Sequence, residues 1–313
     1  MHKIYHPIKL ILLILVFTLT TVGVNQAQDS IPVEPELTKK PLAKAPFESG
    51  ICMDLQTVVV QPAKTLEFVL QHRFGTIQSN WSDLFGIWGA SNIRLGLNFS
   101  ITNNLLVGLG TTKNNRLQDL QIKYTFLRQR QGGFPLTISV YGDYALNALG
   151  KDFYGAGYKF VDRFSFYHEF LFARRFCNYF SAQLGLSYTH FNKVDRTVDS
   201  TAMNDALAFA LLARFKLSPQ SSIVLSYQQP VIVNYDPAFV VKYPNHWLEI
   251  PKNKAPYPNI SLGWEVSTST HAFHLYLSAA QGIIPSEMVM NNENNFFNGF
   301  ILIGFNLTRL WNF

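Results

Sequence analysis

Apolar and polar residues alternate along most of the chain with a period of two, the repeat of a strand that is greasy on one face only. The clearest stretch is 92–101, where Ile93, Leu95, Leu97 and Phe99 interleave with Arg94, Gly96, Asn98 and Ser100. The same pattern returns at 65–74, 105–111, 118–126, 135–146, 163–174, 180–190, 205–217, 222–229, 259–267, 272–280 and 298–313, which predicts twelve strands. In the last of these, Ile301, Ile303, Phe305 and Leu307 share one parity, which runs on through Arg309 and Trp311 to a terminal Phe313. On average the segments run ~9–11 residues, the length a tilted strand needs to cross a bilayer.

The connections sort by length. Those after the even strands are short, such as 102–104, 218–221 and 268–271, while most of those after the odd strands are long: 75–91, 147–162, 191–204, 230–258 and 281–297. Only the connection after the third strand breaks the rule. Short turns at one end and long loops at the other are the mark of an all-β, transmembrane, antiparallel up-and-down barrel with its turns in the periplasm. An even strand count then puts both termini in the periplasm. A secreted soluble sandwich or barrel would also alternate. It has no reason to sort its loops, to carry a full apolar face on nearly every strand, or to place Tyr and Trp near the strand ends like an interfacial girdle.

Residues 1–27 read as a secretory leader. Lys3 and Lys9 give the positive start, Leu10 to Leu19 the apolar run, and Ala27 a residue to cut behind. The apolar run ends near Val24, short of the ~20 residues that span a bilayer as a helix. Residues 28–64 follow as a periplasmic linker and N-terminal segment, rich in proline and charge before Phe47 and without periodicity. Within it, 51–60 is more apolar and is expected to pack against the inner rim of the barrel, which occupies 65–313.

Composition supports an ordered chain, with 48% hydrophobic and 15% charged residues. The net charge of +6 falls to +4 once Lys3 and Lys9 are removed, too mild to argue for nucleic acid. Expected partners are outer-membrane lipid and the barrel-assembly machinery, which would read Phe313, with an unidentified protein partner left open.

The segments FESG (47–50), LEFVLQHRFG (66–75), DLFGIWGASNIRLGL (83–97), SITNNLLVGLGTTKN (100–114) and LQIKYTFLRQ (120–129) together resemble a family of outer-membrane β-barrel proteins known only as a domain of unknown function. The His-Arg-Phe-Gly run at 72–75 is the most specific part, with the Lys-Tyr and Arg-Gln pairs of the last segment. The resemblance implies a barrel and an outer-membrane address. It implies no activity.

The inward parity collects Glu67, Arg73, Arg94, Asp119, Lys123, Asp143, Glu169, Arg214, Lys216 and Glu265 as candidate lumen-lining residues. Acids and bases balance, so they are expected to pair across a narrow lumen, because an unpaired charge away from water is costly. Tyr141, Tyr167, Tyr276 and His274 fall on the same side. His168 falls on the lipid-facing parity, whereas Ser165 and Ser187 point inward, and no G-x-S-x-G occurs. Nucleophile and base are therefore not brought together, and no catalytic, cofactor or metal residue is expected. Cys52 and Cys177 both map to the turn side, where a bridge between them is a candidate and two free thiols the alternative. The leading functional expectation is passive transport of small solutes through a narrow channel. The alternatives are a closed structural or partner-binding barrel and, behind it, a membrane enzyme such as a lipase.

Overall fold

The computed structural model describes residues 40–194, 203–233, 248–251 and 255–313. The leader at 1–27 and the linker up to residue 39 lie outside the described residues, as does part of the long connection after the ninth strand. No helix among the described residues is long and apolar enough to cross a membrane.

Twelve strands form the wall: β3 (Thr65–Thr76), β4 (Asn92–Ser100), β5 (Leu105–Thr112), β6 (Leu117–Leu127), β7 (Thr137–Asn147), β8 (Phe164–Arg175), β9 (Phe180–Phe191), β10 (Asp205–Lys216), β11 (Ser221–Val233), β13 (Asn259–Ser267), β14 (His271–Ser278) and β15 (Leu302–Asn312). Each pairs antiparallel with its neighbour in the chain, and β15 pairs with β3 to close the ring. Two short strands, β1 (Ile51–Cys52) and β2 (Leu55–Gln56), form a separate hairpin, and β12 (Leu248–Glu249) adds to the end of β11.

Most boundaries fall within two residues of the alternation pattern. The exceptions are β11, which runs on to Val233, and β15, which starts at Leu302. Pro230 looks like a strand terminator because it lacks an N–H. It is tolerated because β11 pairs with β13 only as far as Gln228, so Pro230 sits opposite Ala208 of β10 with no β13 partner on its other side.

The outward face is apolar. Leu97, Leu109 and Leu120 are register partners across β4, β5 and β6 and remain exposed, as do Leu186, Leu211, Leu225, Leu262 and Leu275 elsewhere in the wall. In β15 the outward Arg309 lies over the Trp311 ring, 5.2 Å from its centroid, and bonds to His271 at the neighbouring turn. The inward face divides in two. Along β8 and β10 it carries Leu171, Ala173, Ala206, Ala208, Ala210 and Leu212, and elsewhere it is mostly polar.

The small apolar side of the wall leaves a trough, which the chain fills from both ends. From the turn end, Leu42 bridges Arg130 and the Ala43 N–H donates to the Gln129 carbonyl before residues 47–60 enter the lumen. There Phe47, Met53, Leu55 and Val58 pack against Leu171, the alanines and Leu212. From the loop end comes a short helix, α1 (Pro285–Met290), with Pro285 in its first turn, where a missing N–H costs nothing. Its Met288 and Val289 are fully buried. The expectation that 51–60 sits at the inner rim is therefore corrected: the segment folds back on itself inside the barrel as a hairpin.

Candidate functional site

The site is the filled lumen, and the hairpin β1–β2 is its centre. Met53 at the tip takes a left-handed backbone (φ 52°), which lets a two-residue turn close. The tip points toward the loop end. Asp54 there takes hydrogen bonds from Arg73 of β3, Asn259 and Ser261 of β13, and Ser278 of β14, the Asn259 contact being 2.8 Å and the Ser278 contact 2.7 Å. The base of the segment is tied at the turn end, where Glu48 accepts from Arg214 at 3.0 Å and Lys216 at 3.2 Å.

Between these points the wall binds the hairpin's backbone. Lys123 of β6 donates to the Gly50 carbonyl at 2.7 Å, Gln183 of β9 to the Gln56 carbonyl at 2.7 Å, and Asn306 of β15 to the Met53 carbonyl at 2.7 Å. Gln183 also accepts from the Val58 N–H at 3.0 Å, and Thr125 and Ser139 both donate to the Val58 carbonyl. Backbone groups that would be orphaned in a dry interior are thus met by side chains projecting from the wall.

The ten candidate lumen-lining residues all face this interior. Nine are fully buried, and Lys216, at the turn end, is part-exposed. Their pairing differs in part from the expected bridging of acids and bases across a narrow lumen. Only Arg94 with Asp119 (3.0 and 2.5 Å, bidentate) and Arg214 with Glu265 (2.6 Å) pair within the wall. Arg73, Lys123 and Lys216 bind the inserted segment instead. Glu67 accepts from Asn98 at 2.8 Å, and Asp143 accepts from Tyr141 at 2.9 Å and Gln121 at 3.1 Å. Glu169 lies over Gly185, where a Cβ would come within 2.2 Å of its Oε1. The reason for the difference is steric, since the hairpin occupies the space the pairs would have to cross.

The Cys52–Cys177 bridge is not formed. Cys52 is buried in the lumen, whereas Cys177 is exposed in the turn between β8 and β9, and both are free. His168 is outward-facing and half-buried, 3.2 Å from the Tyr144 hydroxyl, and its register partners are Gly142 and Tyr188 rather than a serine.

Sequence reasoning missed the hairpin's role and the helix α1 altogether. One signal was present: the inward positions of β10 read Ala206, Ala208, Ala210 and Leu212, unlike a wall facing water.

A family described as a membrane bound beta barrel domain (DUF5777) matches residues 47–311. Among solved structures, an outer membrane channel from Pseudomonas putida F1 aligns with a TM-score of 0.47 at 8% identity, covering 81% of this chain and 98% of that one. The NanC porin aligns with a TM-score of 0.46 at 7% identity, covering 79% and 99%. The outer membrane phospholipase A of Escherichia coli aligns with a TM-score of 0.39 at 12% identity, covering 79% and 90%. No curated protein matches the chain.

Proposed function

Because the chain belongs to the DUF5777 family of membrane-bound β-barrel domains, we propose that it is an outer-membrane conduit for small polar solutes, closed at rest by its own N-terminal hairpin. The observation that carries this reading is the state of the polar wall beside the hairpin. Gln71 Nε2, both polar atoms of the Gln228 side chain, Ser226 Oγ, Glu67 Oε1 and Thr308 Oγ1 are buried and have no protein partner. A permanently sealed core leaves few such atoms, because each costs about 1–3 kcal/mol. A wall that water enters when the hairpin moves has reason to keep them.

The proposal places the turn end and both termini in the periplasm. The short connections at that end support this orientation, and it would present Phe313 to the assembly machinery. The hairpin then enters from the periplasmic side, where a protein partner can reach the residues that precede it.

The filled lumen itself favours a second reading, a closed structural or partner-binding barrel. Planar-bilayer recording separates the two. Full-length protein and a variant lacking residues 40–60 are compared, each first shown to be folded by heat-modifiable gel migration. The conduit reading expects few steps from the full chain and steady steps from the deletion. Silence from both removes it and leaves the closed barrel.

A further inference from the structure

Three side chains of different chemistry converge below the hairpin tip. Cys52 comes from β1, and Glu265 and His274 are direct register partners on β13 and β14. One ligand atom from each lies within 4.8 Å of the others, and all three residues are buried. His274 Nε2 is 3.1 Å from Glu265 Oε2. Two ligands bound to one tetrahedral zinc ion stand roughly 3.3–3.7 Å apart, given Zn–N and Zn–O near 2.0–2.2 Å and Zn–S near 2.3 Å. His274 and Glu265 thus stand close to ligand spacing, and the Cys52 sulfur, within 4.8 Å of both, needs only a side-chain adjustment to join them.

Two features set it apart from an ordinary buried ion pair. The other ring nitrogen of His274, Nδ1, is fully buried and has no hydrogen-bond partner. The ring is therefore held only through its Nε2 contact with Glu265, and no second hydrogen bond fixes its tautomer or orientation against a ligand. Arg214 Nε holds Glu265 by Oε1, at 2.6 Å, which leaves Oε2 on the side of His274. Outer contacts of this kind orient a ligand carboxylate.

We propose that Cys52, Glu265 and His274 form a binding site for one divalent, borderline-soft transition-metal ion of the zinc class. A thiolate, an imidazole and a carboxylate together suit such an ion, whereas magnesium or calcium would take oxygen alone. Three protein ligands leave a fourth position for water. Local charge permits it: Arg214 and Lys216 are balanced by Glu48 and Glu265. Binding with loss of the thiol proton then adds a net single positive charge. The ion ties the hairpin to the wall through Cys52. The site exists whether or not the barrel ever opens.

The test uses full-length protein in detergent with the exposed Cys177 replaced by serine, so that only Cys52 offers sulfur. The protein is loaded with zinc or cobalt, desalted, and assayed for metal by mass spectrometry. Cobalt adds an optical readout, a near-ultraviolet thiolate-to-metal band. One ion per chain is expected. Cys52→Ser should abolish the band, and both Cys52→Ser and His274→Gln should weaken retention by more than about tenfold. Folded Cys177→Ser protein that retains no metal, or that retains it equally after Cys52→Ser, overturns the proposal. Should Cys52→Ser fail to fold, His274→Gln decides alone, since unchanged retention in that variant also overturns it.

Discussion

Asp54 and Arg73 meet inside the barrel with both side chains completely shielded from solvent, one at the tip of an inserted hairpin and the other on the first strand of the wall. Neither can leave without stranding the other. Removing one member of a buried ion pair costs about 3–5 kcal/mol, because the remaining charge has lost its counter-charge.

Asp54→Ala should therefore loosen the hairpin more than any single backbone contact would. The expected outcome in bilayers is frequent opening where the wild-type chain is mostly silent, with the wall still folded by heat-modifiability. A shift of about 3 kcal/mol changes the open fraction by roughly 100-fold. Wild-type silence in this variant would separate the pair from gating.

Gly263 tests the fit between hairpin and wall. A Cβ there would lie 2.5 Å from the Tyr276 Cβ and 2.7 Å from the Met53 sulfur. Gly263→Ala should cost about 1–3 kcal/mol by overpacking. Met53→Ala in the same chain should recover part of that loss, measured as the midpoint of thermal unfolding on gels. No recovery would place the clash entirely on Tyr276.

The seat of α1 should respond to pH. Burial holds the Glu287 carboxyl above its ordinary range, and the 2.9 Å hydrogen bond from Asn291 offsets this only in part. A raised folded value means the contribution is complete below the ordinary glutamate value of about 4.3 and is lost as pH rises through the folded one. Protease nicking in 279–301 should increase between about pH 4 and about pH 9, and Glu287→Gln should flatten the curve. Equal nicking of the wild-type chain at both ends would contradict this.

Leu109 reports the lipid face, at 64% exposed between Leu97 and Leu120. Leu109→Arg should cost about 2–4 kcal/mol in a bilayer. The neighbouring inward Leu106, fully buried, should tolerate arginine no better, for reasons of space. Leu109→Gln should lie between wild type and arginine, read as folded fraction in vesicles against denaturant. A neutral Leu109→Arg would mean this face does not meet hydrocarbon.

The wall was legible in the sequence because its cause is local. Lipid on one side and polar interior on the other impose a period of two, and residues such as Leu95 and Arg94 declare their sides without reference to the rest of the chain. The lumen was legible only in part. Parity places Arg73, Lys123 and Lys216 inside, but their partners are Asp54, the Gly50 carbonyl and Glu48, far away in sequence and carried by a segment with no repeat. The Gly50 contact is a side chain reaching backbone, and a backbone carbonyl has no signature in a sequence; the two acids sit in a stretch without periodicity, so nothing assigns them to the lumen. The alanines of β10 hinted at a tenant, since Ala208 and Ala210 have no purpose against water, but did not say which segment it was.

Gln61 to Lys64 alone separate the inserted segment from β3. So short a leash anchors the hairpin on its C-terminal side, and any traction must come from the stretch ahead of Glu48. Pulled along the cylinder axis, the chain is loaded at Glu48 first, then at Gly50 and Asp54, and at Gln56 and Val58 last, peeling contact by contact rather than shearing all at once. Peeling needs far less force than shearing, so an optical-tweezer trace should show a staircase of small yields before the wall itself gives way. A single abrupt rupture would instead describe a cork.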